Sequence, residues 1–297
     1  MINQTYILSC DSPADLTAEY YVRRDIHCLP YPYYLAGEEK LDDLFTSMTS
    51  KQFFDAMAAG ADTRTAQPNA EDFERYFTPF LEQGKDILHL CLSSGLTGVL
   101  TSANLAKETL GEKYPDRKIY IVDTLGASRG FGLLVDKCAD LRDEGKTIDE
   151  VHDWIEEHKL NMHHWFFSTD LTYYVRGGRI SKAEGWFGTM LSICPLMNMD
   201  AEGHLVPRRK CRGKAAVKKE IFKMMVENAL DGADYSEKVF MNNADCIEDA
   251  RDVAKMVEAA FPKMNGPVQL ETIGPIIGSH TGPGTVALFF YGKKRED

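Results

Sequence analysis

The first half of this 297-residue chain repeats one unit: a short apolar run, a loop of small polar residues, then an amphipathic stretch. Apolar runs at residues 6–9, 26–34, 87–92 and 119–122 predict strands. Amphipathic stretches at 50–59, 71–83, 98–113, 128–143 and 148–158 predict helices. Asn69 is a good N-cap for the second helix, and Thr147 with Glu150 forms a capping box before the last. Strands separated by helices of this length need crossover connections. A parallel sheet covered on both faces follows.

The rhythm changes near residues 160–170. Beyond it, strands are expected at 165–168, 205–209, 239–242, 268–273 and 286–291, with long helices only near 214–231 and 248–261. Two helices serving about five strands point to a mixed or antiparallel sheet. The expected fold is therefore α/β in two domains. Residues 1–165 form a Rossmann-like α/β/α domain on a parallel sheet, and residues 166–297 form a mixed or antiparallel α/β domain.

Charge and composition narrow the function. A net charge of -11 argues against non-specific binding to nucleic acid or to an anionic membrane. The seven cysteines are an odd number, widely spaced and without a CxxC, so free thiols in a reducing compartment are expected. The opening residues, "MINQTYILSCDS", show no signal-peptide pattern, and no run reaches the roughly 18 apolar residues of a membrane span. A cytoplasmic protein without stable membrane insertion is expected.

In open α/β sheets, ligands sit beyond the carboxyl ends of the strands. That rule selects Asp11-Ser12, Ser93-Ser94-Gly95, Asp123-Thr124 and the segment "TRTAQPN" at 63–69. A serine nucleophile at Ser93 or Ser94, with His280 as base, gives a hydrolase. However, neither serine has the glycine two residues earlier that an α/β-hydrolase elbow requires. No phosphate-loop motif is present, and no lysine lies near the loop before Lys107. The adjacent His163 and His164 should point to opposite faces of a strand, so no metal or other cofactor site is expected. What remains is a set of neutral donors at a helix N-terminus, together with the imidazole and glycine-rich turn of "HTGPGT". Such donors suit a carboxylate, whose burial without partners costs several kcal/mol.

The same residues carry a resemblance that runs almost end to end. The chain resembles the DegV family through Asp11-Ser12, "TAQP" at 65–68, "LSSGLTGVLTSA" at 92–103, "YVRGGRIS" at 174–181, "RRKCRGKAAVKK" at 208–219 and "HTGPG" at 280–284. That family comprises bacterial fatty-acid-binding proteins, the acyl-carrying subunits of fatty acid kinase. The resemblance implies a lipid-binding, substrate-presenting subunit without turnover of its own. A long-chain fatty acid would lie in a tunnel between the two domains. Its carboxylate would be held by Thr65, Ser93, Ser94 and His280 and phosphorylated by a separate kinase subunit. Ala66 stands where the family usually has serine, Thr97 where serine is common, and Arg129 in a segment usually small and apolar.

Two further groups need places. Residues 208–219 carry seven basic side chains, and Arg209 and Arg212, with Arg176 and Arg179, are candidates for docking an acidic kinase. No aromatics interleave these charges, so nucleic acid is not expected. Tunnel walls could come from Phe53, Phe54, Phe166, Phe167, Trp186, Phe187, Met190, Leu191 and Ile193, although core packing accounts for each equally well.

Overall fold

A computed structural model describes residues 6–180 and 193–296. Its first sheet is parallel. Strands β1 (Tyr6–Asp11), β2 (His27–Leu29), β6 (Asp86–Cys91) and β7 (Ile119–Asp123) stand in the order β2–β1–β6–β7. Between them in sequence, β3 (Pro32–Leu35), β4 (Glu38–Leu41) and β5 (Thr63–Thr65) form a small antiparallel sheet in the order β4–β3–β5. The apolar run expected as one strand over 26–34 is split at Pro30-Tyr31. Proline has no N–H for a ladder, so β2 ends there and β3 leaves for the second sheet.

Helices α1 (Ala18–Arg23), α2 (Ser50–Ala58), α3 (Ala70–Glu82), α4 (Val99–Lys113), α5 (Ser128–Asp143) and α6 (Ile148–His158) supply the crossovers and coverings. Their starts follow local chemistry. Asn69 and Asp72 cap α3 reciprocally, and Thr147 and Glu150 do the same for α6.

The second sheet has six strands: β8 (Met162–Phe167), β9 (Ile193–Met199), β10 (Leu205–Arg212), β11 (Phe240–Asn243), β12 (Gln269–Thr272) and β13 (Val286–Tyr291). The order is β10–β9–β8–β13–β11–β12, antiparallel except for the β11–β12 pair. It is accompanied by α7 (Thr172–Arg176), α8 (Lys214–Asn228), α9 (Ile247–Ala260) and α10 (Pro275–Thr281). The mixed sheet is the one expected, but β8 runs across the expected 165/166 division. Strand β9 escaped the sequence reading because Pro195 interrupts it. The proline is tolerated because β9 is paired with β10 there, opposite Lys210, beyond the end of its pairing with β8.

The halves are fastened by polar contacts as well as apolar ones. Lys238, beside β11, reaches Asp136 at 2.6 Å and Asp140 at 2.9 Å on α5. Asn242 of β11 donates to Asp15 at 3.2 Å. These contacts hold α5 and the loop after β1 against the mixed sheet.

Candidate functional site

Two carboxylates organise the loops at the sheet edge. Asp11, fully buried, accepts from Leu92 N at 2.8 Å, from the Tyr31 hydroxyl at 2.9 Å and from His89 Nε2 at 3.1 Å. Asp123 accepts from Ser94 N at 3.2 Å and Leu125 N at 3.0 Å. Both fix backbone rather than face a ligand. His89 Nδ1 in turn meets Ser9 Oγ at 2.7 Å, so the chain contains a Ser–His–Asp string. All three residues are 0% exposed, and no substrate can reach them. Asp11, His89 and Cys91 also bring potential metal-ligand atoms close together. The Asp11 and His89 atoms are already engaged by hydrogen bonds, and burial pushes the Cys91 thiol well up, so the trio reads as a structural knot.

A cavity of about 440 Å³ lies between these loops and the mixed sheet. Its walls are mostly apolar: Leu92 and Leu96 from the loop after β6, Ile276 and Ile277 from α10, and Phe166 and Phe289 from β8 and β13. Thr65, at the end of β5, and His280, near the end of α10, both line it. Their Oγ1 and Nε2 atoms are 2.7 Å apart. Burial, then the nearby charges of Arg179 and Arg176, push the His280 pKa down to about 3, so the ring is neutral near pH 7. Among the described residues its Nδ1 is buried without a partner, and it faces Gly177, where a Cβ would collide with it. A proton on Nδ1 would be an orphan donor, so the proton belongs on Nε2 and is donated to Thr65. The Thr65 hydroxyl then keeps its own proton for a ligand.

Neither expected serine is among the lining residues of the cavity. Ser93 is buried, and its hydroxyl donates to Gly203 O at 2.9 Å. Ser94 is exposed on the same loop. Arg179 lines the cavity and donates to Gly177 O at 2.5 Å and Leu96 O at 3.3 Å. Arg176 is largely exposed, stacks over Tyr173 at 5.0 Å and donates to Thr63 at 3.2 Å.

The family model for DegV, described as an uncharacterised-protein family, matches residues 8–293. The chain belongs to the DegV family. A DegV domain-containing protein of Clostridium perfringens is 35% identical over 291 residues, covering 98% of this chain and 99% of the relative. A DegV-family protein of Thermus thermophilus, described as fatty-acid binding, superposes with a TM-score of 0.85 at 27% identity, covering 97% of this chain and 100% of that one. The fatty acid kinase (Fak) B3 protein of Streptococcus pneumoniae, loaded with linoleic acid, has a TM-score of 0.83 at 22% identity, covering 98% and 100% of the two chains. At that identity the likeness is one of fold. These DegV structures share the two-domain α/β architecture seen here.

Within this DegV chain, the departures from the family pattern separate. Ala66 lines the cavity, beside Gln67, which accepts from the Thr97 hydroxyl. Arg129 is 1% exposed, stacked over Phe240 at 4.4 Å and 4.0 Å from Glu271, and lies outside the cavity lining. Of the expected wall residues, Phe166 lines the cavity, while Phe53, Phe54 and Phe167 are core. Ile193 begins β9, and Trp186, Phe187, Met190 and Leu191 lie outside the described residues. Arg179 as a cavity residue was missed. The available signal was a cation beside the paired glycines Gly177 and Gly178.

Among the described residues, three of the seven bases of the basic segment are paired with acids of this chain. Arg209 pairs with Glu220, Lys214 with Asp249 at 2.7 Å, and Lys218 with Asp249 at 3.1 Å and Asp252 at 2.7 Å. Strand β10, which carries Arg208, Arg209, Lys210 and Arg212, is an edge of the mixed sheet and has a bulge between Pro207 and Arg209. Charge, proline and a bulge on an edge strand all discourage pairing with another chain. Among the described residues, no helix is long and apolar enough to cross a membrane.

Proposed function

We propose that the chain binds a long-chain fatty acid in the cavity between its two sheets and presents the carboxylate to a separate kinase. The observation that carries this reading is the Thr65–His280 pair at a mostly apolar cavity. His280 orients the Thr65 hydroxyl, which donates to one carboxylate oxygen. Arg179 supplies positive charge from the wall, and Ser94, exposed on the loop that carries the lining residues Leu92 and Leu96, serves the second oxygen. Hydrogen bonds to a charged group are worth roughly 1.5–3 kcal/mol each. Each buried methylene adds about 0.8 kcal/mol, so a chain of about fifteen gives roughly 12 kcal/mol before the cost of association. The fatty acids bound by the Thermus relative support the ligand class. The kinase step rests on the motif resemblance. A serine-hydrolase reading is poorly served. The Ser93 hydroxyl is engaged by Gly203, and His280 bonds a threonine, with no carboxylate at Nδ1 among the described residues.

Mass spectrometry of lipid extracted from purified native protein, followed by titration of the stripped protein with palmitate, tests the reading. Co-purified fatty acid and saturable binding at a one-to-one ratio are expected. Absence of both would overturn it. Addition of a fatty acid kinase catalytic subunit and ATP should then yield acyl phosphate only when this chain is present.

A further inference from the structure

The turn between β9 and β10, residues 200–204, leaves the mixed sheet and lies on the 93–98 loop of the parallel-sheet half. The Ser93 hydroxyl donates to Gly203 O at 2.9 Å and accepts from Gly95 N at 3.1 Å. Only glycines allow so close an approach. A Cβ on Gly95 would lie 2.7 Å from the carbonyl oxygens of Glu202 and Gly203, and one on Gly203 would overlap Ser93 Oγ. Residues flanking this contact on both sides line the cavity: Leu92 and Leu96 on the loop, Met199 and Leu205 on the hairpin. The contact therefore lies between wall residues of the cavity, and it is a seam between the two halves.

The hairpin tip is tied to itself and to its base. Asp200 Oδ1 accepts from Glu202 N and His204 N, both at 2.9 Å, and ties the tip to itself. Arg295 holds the base, donating to Met199 O at 3.3 Å and Asp200 O at 2.9 Å, and it reaches Leu125 O at 2.8 Å on the neighbouring loop. Because β10 is an edge strand, the tip can swing outward without breaking the pairing between any inner strands.

We infer that Ser93 is a positioning residue: its hydroxyl latches the β9–β10 hairpin over the cavity, and release of that latch admits and discharges the ligand. This rests on the fatty-acid reading for the identity of the ligand, but not for the latch itself. It differs from what the family resemblance implies, which places Ser93 on the carboxylate. A latch closed in both the empty and the loaded protein changes rates without changing affinity. A carboxylate ligand changes affinity through the off-rate.

The test uses the full chain and cis-parinaric acid as the fluorescent probe. Ser93→Ala should raise the association and dissociation rates together by about fivefold, the order expected for one hydrogen bond, with Kd moving less than about twofold. In the ligand-free protein it should also speed hydrogen exchange of the amides over 199–205. A second variant, Gly203→Ala, breaks the latch from the hairpin side, because its Cβ would overlap Ser93 Oγ. It too should raise the association and dissociation rates together, with Kd nearly unchanged. A tenfold loss of affinity in Ser93→Ala carried by the off-rate alone, with unchanged hydrogen exchange, would return Ser93 to the carboxylate. Unchanged probe exchange in both Ser93→Ala and Gly203→Ala would place the entrance elsewhere. If the unmodified protein does not bind the probe, the fatty-acid reading fails, and the hydrogen-exchange comparison still decides the latch.

Discussion

Replacing His280 with glutamine should flatten the acid side of the protein's stability curve. In the folded protein the ring's pKa is pushed from 6.5 down to about 3 by burial, then by Arg179 and Arg176. In the unfolded chain it returns to about 6.5. Between those values the unfolded state binds a proton that the folded state refuses. Stability from this group is therefore complete above pH 6.5 and is lost as pH falls, by about 1.4 kcal/mol per pH unit, until the folded value is reached. The full window amounts to at most about 5 kcal/mol. Glutamine does not titrate, yet its amide can still donate to Thr65.

Other buried groups titrate in the same range. His163, pushed down to about 4, has the same sign, while Asp15, pushed up to about 8, and Asp42, up to about 6, have the opposite sign. All are shared by both proteins, so the difference between wild type and His280→Gln isolates one proton. Urea unfolding at pH 4.5, 5.5 and 6.5 measures it. The wild type should lose about 1.4 kcal/mol more per pH unit than the variant. Parallel curves would mean that His280 protonates normally, and the neutral-donor clamp would fall. A bound carboxylate favours the charged ring, so saturating palmitate should narrow the difference.

Thr65→Val should weaken palmitate binding about tenfold or more, the value of one hydrogen bond to a charged group, and Ser94→Ala should weaken it less because Ser94 is exposed. Equal isothermal titration curves for Thr65→Val and wild type would remove Thr65 from the clamp. Gly177→Ala places a methyl against His280 Nδ1, so it should break the Thr65–His280 bond, cost roughly 1–3 kcal/mol of stability and reduce affinity alongside. Wild-type palmitate affinity in that variant would show that the ring can move freely. Arg212→Glu should slow acyl-phosphate formation by the partner kinase while palmitate binding stays intact, and added salt should slow the wild type, since exposed charges are screened within about 8–10 Å. An unchanged kinase rate would leave the β10 bases as edge protection alone.

The elements were largely legible because their causes are local. The reciprocal caps at Asn69 and Thr147 lie within four residues of their partners, and α5, α6 and β13 occupy the stretches that periodicity selects. Strand β9 and the split at Pro30 were hidden because a proline's effect depends on whether a neighbouring strand needs its N–H, which is decided elsewhere in the chain. Thr65 and His280 were readable as hydroxyl and imidazole near turns, but their 2.7 Å contact joins residues 215 apart in sequence and exists only once the two sheets have packed.

Ser93 shows the limit most clearly. Its sequence neighbourhood marks a ligand loop, yet its hydroxyl is engaged by a carbonyl 110 residues away. Likewise the seven bases of 208–219 stand out in the sequence, while the acids that neutralise several of them, Glu220, Asp249 and Asp252, reach them through helix packing. Residue type and spacing determine which side chains can form a hydrogen bond or an ion pair. The tertiary structure decides which bonds form, because each donor and charge is desolvated against whatever the fold brings beside it.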